Sequence, residues 1–236
     1  MKLNFAQERI LAVVAHPDDA ELLCAGTLAR AKSEGAVIGI CVLCRGDKGQ
    51  PLRPLKNLVA MRQREMTAAA QLLGATLHVG RFRDGELADG RKERLRVVEI
   101  FRQFGPTLVM AHCANDYHSD HRVASLLAET ASWACASPGY KTRSRALSAA
   151  PALWWMDTIE MLQFDPAFYV DVSAYTDTKE KMLGCHRSQL LRGHDGNFSP
   201  LLDMMRRQYT ARGAQSGVAA AEAFRIHAAF KRTRAW

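Results

Sequence analysis

The sequence of 236 residues predicts an α/β fold: a single-domain, Rossmann-like parallel sheet with a mixed edge and helices on both faces. In the first half of the chain, short β-branched apolar runs alternate with stretches of helical spacing, and most of those stretches end in glycine. Strands separated by helices of this length form βαβ units. No repeat and no Gly-, Ser- or Pro-rich linker interrupts the chain, so we expect one domain over residues 1–236.

Four strand–helix units are predicted first. The strands are 9–15, 36–44, 76–82 and 107–112, and the helices that follow them are 20–35, 57–74, 92–105 and 121–137. Residues 137–151 are rich in Ser, Arg and Ala, which predicts a surface loop.

The remaining third of the chain predicts strands within 152–161 and 167–173 and a helix over 177–191, with helical character in 199–217 and 219–230. Trp154 and Trp155 would be core aromatics of a strand or part of a sugar-stacking wall, and we favour the core.

Composition and charge exclude several classes of protein. The hydrophobic fraction of 48% is that of a globular chain, and no apolar run reaches the ~20 residues needed for a membrane span. The polar N-terminus and the scattered cysteines predict a cytoplasmic protein. The net charge of +8 includes basic runs at 141–145 and 231–234, but no nucleic-acid-binding motif accompanies them. We therefore expect a solvated surface that favours anionic substrates, and no nucleic-acid partner.

Ionisable residues cluster after the first and fourth predicted strands. The first strand is followed by His16, Pro17, Asp18 and Asp19, and the fourth by the segment HCANDYHSDHR, 112–122. In doubly wound sheets these two strands are neighbours, and the crevice at their carboxyl ends binds ligands. The sequence therefore predicts a site at the carboxyl ends of strands 1 and 4.

The residue types in these segments suggest a metal. His nitrogen and carboxylate oxygen suit zinc, and a catalytic zinc keeps three protein ligands and one open position. His16, Asp19 and His121 could supply those ligands, with another divalent ion as the alternative.

The remaining ionisable groups predict a hydrolytic mechanism. Asp18 is adjacent in sequence to the ligand Asp19 but is not itself assigned as a ligand, so its carboxylate could act as a general base. His118 would protonate the leaving group, and Asp120 would hold its imidazole in the required tautomer and favour its charged form. Such a set fits hydrolysis of an amide or ester through a tetrahedral intermediate.

At AHPDDAE (15–21) and YHSDHR (117–122) the sequence resembles the zinc-dependent de-N-acetylase family of LmbE-like, or PIG-L, proteins. The family's further signatures are resembled, in the same order, by RGDKG (45–49), RQREMTAAAQLLG (62–74), HRSQ (186–189) and GVAAAEAFR (217–225).

This resemblance implies the same ligands and the same base, and it makes His118 the acid or an electrophilic partner, supported by Asp120. It also implies that Arg62 binds substrate, although an exposed helix salt bridge would explain it equally well, and that His186 closes the site from the C-terminal side. Asp116 and His112 would support the ligands or only shape their loop. The loops 45–58 and 137–152 would select the acyl group and the aglycone.

The implied activity is a zinc-dependent hydrolysis that removes an N-acetyl group from an N-acetylglucosamine-type sugar conjugate by attack of metal-activated water. A hydratase of a small dicarboxylic acid on the same fold is an alternative, and a non-catalytic binding protein is another. The presence of Asp18 favours the hydrolase. Similar proteins often form trimers or hexamers, so a homo-oligomer is also implied.

Overall fold

The computed structural model describes residues 4–194 and 200–228. Within these residues, one sheet contains β1 (Arg9–Val14), β2 (Val37–Cys44), β3 (Thr76–Phe82), β4 (Leu108–Ala111), β5 (Ala152–Met156), β6 (Phe168–Asp171) and β7 (Ala221–Ile226). Their order in the sheet is β3-β2-β1-β4-β5-β7-β6. The first five strands pair in parallel, and β7 runs antiparallel between β5 and β6. The prediction of a parallel sheet with a mixed edge is confirmed.

The helices of the described residues are α1 (Asp19–Leu23), α2 (Ala25–Ser33), α3 (Leu58–Leu73), α4 (Arg91–Phe104), α5 (Ser119–Ala134), α6 (Thr176–Leu183), α7 (Arg187–Leu190) and α8 (Leu201–Ser216). Short 3-10 turns are found at Ser173–Tyr175 and Leu191–His194. α4 and α5 cover one face of the sheet, and α2, α3 and α6 cover the other.

The central strand β1 shows why the strand runs are continuously apolar. Ile10, Ala12 and Val14 belong to one buried layer, and Leu11 and Val13 belong to the other. Successive side chains on a strand point to opposite faces, and helices bury both faces here.

The helical character predicted for 219–230 is wrong over Ala221–Ile226, which forms β7, and residues 229 and 230 lie outside the described residues. Alanine and glutamate favour helices, but Ala221–Ile226 completes the sheet between two strands. Hydrogen bonding of β7 to a strand on each side outweighs the helical preference of its residues.

The helix predicted over 20–35 is also divided. Cys24, with φ −145°, separates α1 from α2. The Glu222 carboxylate accepts hydrogen bonds from the backbone N–H groups of Gly26 and Thr27 at 2.9 and 2.7 Å. These two donors in the first turn of α2 have no partner within the helix.

Trp154 is a core residue. Its side chain is fully buried, and its ring packs edge-on against Phe168, with the centroids 4.7 Å apart. The core interpretation is therefore correct for Trp154, and Trp155 beside it is half-buried.

The segment 137–151 packs along α4. Arg102, buried in the last turn of that helix, donates hydrogen bonds to the carbonyls of Ser137 and Tyr140, both at 2.8 Å. The segment connects the end of α5 to the start of β5 and so enters the sheet at the amino ends of its strands. Its hydrogen bonds to other elements are with α4 and with the end of α5, which gives no support to the expected role of 137–152 in substrate selection.

All six cysteines are free thiols, and only Cys185 is more than marginally exposed. Among the described residues, no helix combines the length and the apolar character needed to cross a membrane. The basic run at 231–234 lies outside the described residues.

Candidate metal centre and active site

Two loops at neighbouring strand ends bring the predicted ligands together. His16 follows β1, and Asp19 is the first residue of α1. The loop 112–118 follows β4 and leads into α5, which contains His121. Because β1 and β4 pair in parallel, the two loops leave the same edge of the sheet side by side.

Three donor atoms face one another in this cluster. His16 Nδ1 lies 3.4 Å from His121 Nε2 and 3.6 Å from Asp19 Oδ2, and the last two atoms are 3.4 Å apart. A tetrahedral zinc ion with bonds of about 2.1 Å separates its ligands by about 3.4 Å. The three side chains therefore fit a divalent ion with a fourth position left for another ligand.

A carboxylate holds the second ring nitrogen of each of these histidines. His16 Nε2 lies 3.0 Å from Asp120 Oδ2, and His121 Nδ1 lies 3.0 Å from Asp116 Oδ1. Such contacts fix the tautomer of a ligating imidazole and aim its lone pair. Here they aim His16 Nδ1 and His121 Nε2 at the position between the three donors.

The same contacts raise the pKa of both imidazoles. Burial opposes their charged forms, but hydrogen bonds to Asp120 and Asp19 raise the pKa of His16 to about 10. For His121, burial is outweighed by the charge of Asp19 and the bond to Asp116, and the pKa rises to about 9. Binding of an ion at these donors would displace the protons of the two imidazoles.

Other donors adjoin this set. His118 groups with His16 and His121, and His112 groups with Asp19 and His121, with the ligand atoms of each group within 4.8 Å of one another. The His112 ring is fully buried and stacks on His121 with the centroids 4.0 Å apart. Its Nε2 accepts the Ala15 N–H at 3.1 Å, which occupies the lone pair that a metal would need.

Asp120 contacts His118 differently from the prediction. Its carboxylate contacts His16 Nε2 and accepts a hydrogen bond from the Gly85 N–H at 2.7 Å. It reaches His118 through its backbone N–H, which donates to Nδ1 at 3.1 Å because His118 is the N-cap of α5. A neutral His118 therefore keeps its proton on Nε2.

Asp18 occupies a left-handed backbone conformation, with φ 100° and ψ −22°, which is uncommon for a residue with a side chain. Arg62 Nη2 donates to Asp18 Oδ2 at 2.9 Å and also bonds the Pro17 carbonyl. Burial raises the pKa of the Asp18 carboxyl, and the charge of Arg62 opposes that shift. The Arg62 guanidinium thus holds both the backbone and the side chain at this turn.

Arg62 is 3% exposed, so the alternative of an exposed helix salt bridge is wrong. The glycine loop 45–49 covers its side chain. A Cβ at Gly46 would lie 2.5 Å from Arg62 Cδ, and a Cβ at Gly49 would lie 2.9 Å from Nη1. The loop therefore needs glycine where it crosses the guanidinium. Direct contact of Arg62 with a substrate stays a prediction.

His186 is also buried, with no exposed surface, and its Nε2 lies 3.4 Å from Glu21 Oε1. Burial disfavours its charged form, but the charge of Glu21 raises its pKa. In the same motif, Ser188 donates its N–H and its Oγ–H to Glu65 at 2.8 and 2.6 Å, which ties α7 to α3. Contact of His186 with a substrate likewise stays a prediction.

The turn after β3 was not singled out from the sequence. Asp84 accepts the N–H groups of Gly46 and Lys48 at 2.8 and 3.0 Å, and the next residue, Gly85, bonds Asp120. This turn therefore links the glycine loop to the carboxylate that orients His16. Its signal in the sequence is an Asp-Gly pair directly after a predicted strand of the same parallel sheet.

The chain is similar to one family and to several known proteins. Residues 11–132 match the model of the PIG-L family, described as GlcNAc-PI de-N-acetylase. The crystal structure of a conserved protein from Thermus thermophilus is 31% identical, with a TM-score of 0.81, and the match covers 97% of this chain and 100% of that chain. The 4-oxalmesaconate hydratase of Pseudomonas putida is 24% identical over 79% of this chain and 76% of its own length. A 1D-myo-inositol 2-acetamido-2-deoxy-α-D-glucopyranoside deacetylase of Rhodococcus jostii is 24% identical over 78% of this chain and 82% of its own length.

Proposed function

Because the chain belongs to the PIG-L family of GlcNAc-PI de-N-acetylases, we propose that it is a zinc-dependent hydrolase that removes an N-acetyl group from an N-acetylglucosamine-type sugar conjugate. The observation that carries this proposal is the set of three donors spaced for a divalent ion, with Asp18, whose carboxylate is held by Arg62, directly before the donor Asp19 in the chain. The relative from Rhodococcus jostii is by name a deacetylase of a 2-acetamido sugar linked to inositol, which supports the substrate class.

His16, Asp19 and His121 would hold the ion, which when bound lowers the pKa of a water molecule and polarises an acyl carbonyl. Asp18 would take the proton of the attacking water. The contact with Arg62 engages Oδ2 of Asp18 and leaves Oδ1 as the proton acceptor. Arg62 would thus act by positioning the base.

His118 would act as the electrophilic partner that polarises the acyl carbonyl. Its half-buried ring packs against the rings of His16 and His121, with both centroids 4.8 Å away. The backbone N–H of Asp120 occupies the lone pair of Nδ1, so the neutral ring carries its proton on Nε2, where it can donate a hydrogen bond to the acyl oxygen. Burial and the charge of His16 lower the pKa of His118 and so favour the neutral ring. The leaving nitrogen would then take its proton from Asp18, which has accepted one from the attacking water.

A hydratase of a small dicarboxylic acid is the second candidate, since the Pseudomonas putida hydratase matches the chain over a comparable span. The same ion would serve an addition of water. We favour the hydrolase because amide hydrolysis needs a base beside the attacking water, and Asp18 is available for that role.

The proposal is tested by acetate release from a panel of N-acetylglucosaminides, with zinc-loaded protein and a chelated control. Asp18→Asn should lose most of the turnover and keep its zinc, whereas Asp165→Asn, at an exposed carboxylate, should behave as the parent. Absence of acetate release from zinc-loaded protein across the panel would refute the hydrolase. Consumption of an unsaturated dicarboxylic acid in the same samples would then assign the hydratase activity.

A further inference from the structure

A basic groove lies on the outer side of α4, formed between that helix and residues 139–143. It consists of two adjoining cavities of about 430 and 390 Å³, which share Leu95 and Lys141 as lining residues. None of the proposed ligands or catalytic residues lines either cavity. This α4 groove is therefore separate from the candidate metal centre.

The lining of the α4 groove is strongly cationic. Its positive side chains are Arg91, Lys92, Arg94, Arg96, Lys141 and Arg143. The one carboxylate in the lining, Glu99, is occupied by the N–H and Oγ–H of Ser144 at 3.0 and 2.9 Å. The lining of the groove thus has a net positive charge.

Most of these cations have no acidic partner. Arg94 is neutralised by Asp89, with a contact of 2.6 Å. The four exposed cations Arg91, Lys92, Lys141 and Arg143 form no ion pair with any described residue. Like charges gathered along one groove repel each other, and an anionic ligand would relieve that repulsion.

The wall that carries two of the free cations is anchored. Arg102 Nη1 donates to the Tyr140 carbonyl and to Thr142 Oγ1 at 2.8 and 2.9 Å, directly on either side of Lys141. A cationic wall held in place before binding avoids much of the entropy cost of ordering it around a ligand.

Both cavities are lined by cations and by Leu95, and an aromatic ring lines only the first. The first contains Leu95 and Tyr140, and the Tyr140 ring is supported edge-on by Trp133, with the centroids 5.3 Å apart. The second contains Lys92 and Arg143, and Lys141 belongs to both. A ligand that fills both cavities would place a flat ring against Tyr140 in the first cavity and its negative charge between Lys141 and Arg143 in the second.

We propose that the α4 groove binds a small ligand that carries a diphosphate beside a flat ring, the chemistry of a nucleoside di- or triphosphate. Arg and Lys side chains are the usual partners of phosphate oxygens, and each cavity has the volume of a small-molecule site. The ring lies against Leu95 and Tyr140, and the phosphates lie against Lys141 and Arg143.

The test is a calorimetric titration of zinc-loaded, full-length protein with ADP, ATP, inorganic pyrophosphate and adenosine. ADP and ATP should bind one to one, pyrophosphate should compete with them, and adenosine should bind far more weakly. Lys141→Ser/Arg143→Ser should weaken ADP binding by roughly tenfold or more. The matched control Arg64→Ser/Arg207→Ser removes two exposed charges elsewhere and should leave the affinity unchanged.

Three outcomes would overturn the proposal. No saturable binding, or an equal loss in both double variants, would reduce the groove to a non-specific positive surface. Nucleotide binding that vanishes when zinc is removed would assign the nucleotide to the metal centre. Binding of a single-stranded oligonucleotide without mononucleotide binding would assign the groove to nucleic acid. The titration measures binding alone, so its result is independent of the proposed hydrolysis.

Discussion

The buried ion pair between Lys179 and Glu222 supports the helix that carries Asp19. Lys179 is fully buried on α6, and its Nζ donates to Glu222 Oε1 at 2.6 Å and to the Leu22 carbonyl at 2.8 Å. Leu22 belongs to α1, which begins at Asp19. The Glu222 carboxylate also accepts two backbone N–H groups at the start of α2. The Lys179 ammonium and the Glu222 carboxylate thus connect α6, β7, α1 and α2.

We predict that Lys179→Met lowers the free energy of unfolding by about 3–5 kcal/mol, the cost of removing one partner from a buried pair. Methionine nearly fills the volume of the lysine, so the loss comes from the Glu222 charge, which stays buried without a counter-charge. The matched control is Lys181→Met, two residues away. Its ammonium pairs with Asp177 at 2.7 Å, but the side chain is 63% exposed, so the change should stay below about 1 kcal/mol.

Urea unfolding of the metal-free variants, followed by circular dichroism, measures both values. A double-mutant cycle of Lys179→Met with Glu222→Gln should show a coupling energy of about 2 kcal/mol. The reason is that the neutral amide of glutamine, unlike the carboxylate, leaves no unpaired buried charge when the ammonium is removed. A Lys179→Met variant as stable as Lys181→Met would refute the reasoning. Because the Leu22 carbonyl loses its donor in the helix that carries Asp19, Lys179→Met should also bind zinc more weakly in a chelator competition.

Four further predictions concern the metal centre and the residues beside it. Asp120→Asn should weaken zinc binding by about 10–100-fold in a chelator competition, because His16 loses its charged partner; unchanged affinity would remove Asp120 from this role. In the metal-free protein, the protonated imidazoles of His16, with a pKa of about 10, and of His121, with a pKa of about 9, stabilise the fold. Their contribution to the free energy of unfolding is complete below pH 6.5 and should disappear as the pH rises through 9–10. Zinc affinity should rise about 10- to 100-fold per pH unit between about 6.5 and 9, as binding releases these protons, and a flat profile in calorimetry would contradict it. Arg62→Met should lower turnover at least about tenfold and lower zinc affinity much less, because Arg62 bonds Asp18 and the Pro17 carbonyl but no ligand; equal losses of both would mark a general structural role.

The order of elements and the neighbourhood of the ligands could be predicted from the sequence. The strands around Val13 and Val109 read as continuous apolar runs because both faces of a covered parallel sheet are buried. The crossover rule for such sheets then places the segments after β1 and β4 side by side. His16 and His121, which are 105 residues apart in the chain, meet at 3.4 Å for that reason.

Local preference misled the prediction where pairing at long range decides the structure. Ala221–Ile226 has the composition of a helix, yet it fills the gap between β5 and β6 and is held there by both neighbours. Cys24 lies inside a helical pattern, but the carboxylate of Glu222, almost 200 residues later, starts a new helix after it. No local window of sequence contains that carboxylate.

By itself, the sequence determined the α/β class, the mixed sheet and the types of side chain that collect at one edge of it. These properties follow from hydrophobic periodicity and from connection rules, which act over a few tens of residues. Only the tertiary structure decided which partner each side chain meets: Asp120 with His16, Arg62 beneath the glycine loop with Asp18, and Lys179 with Glu222. Such pairings depend on distances of a few ångströms between segments remote in the chain, because hydrogen bonds and ion pairs weaken steeply beyond contact.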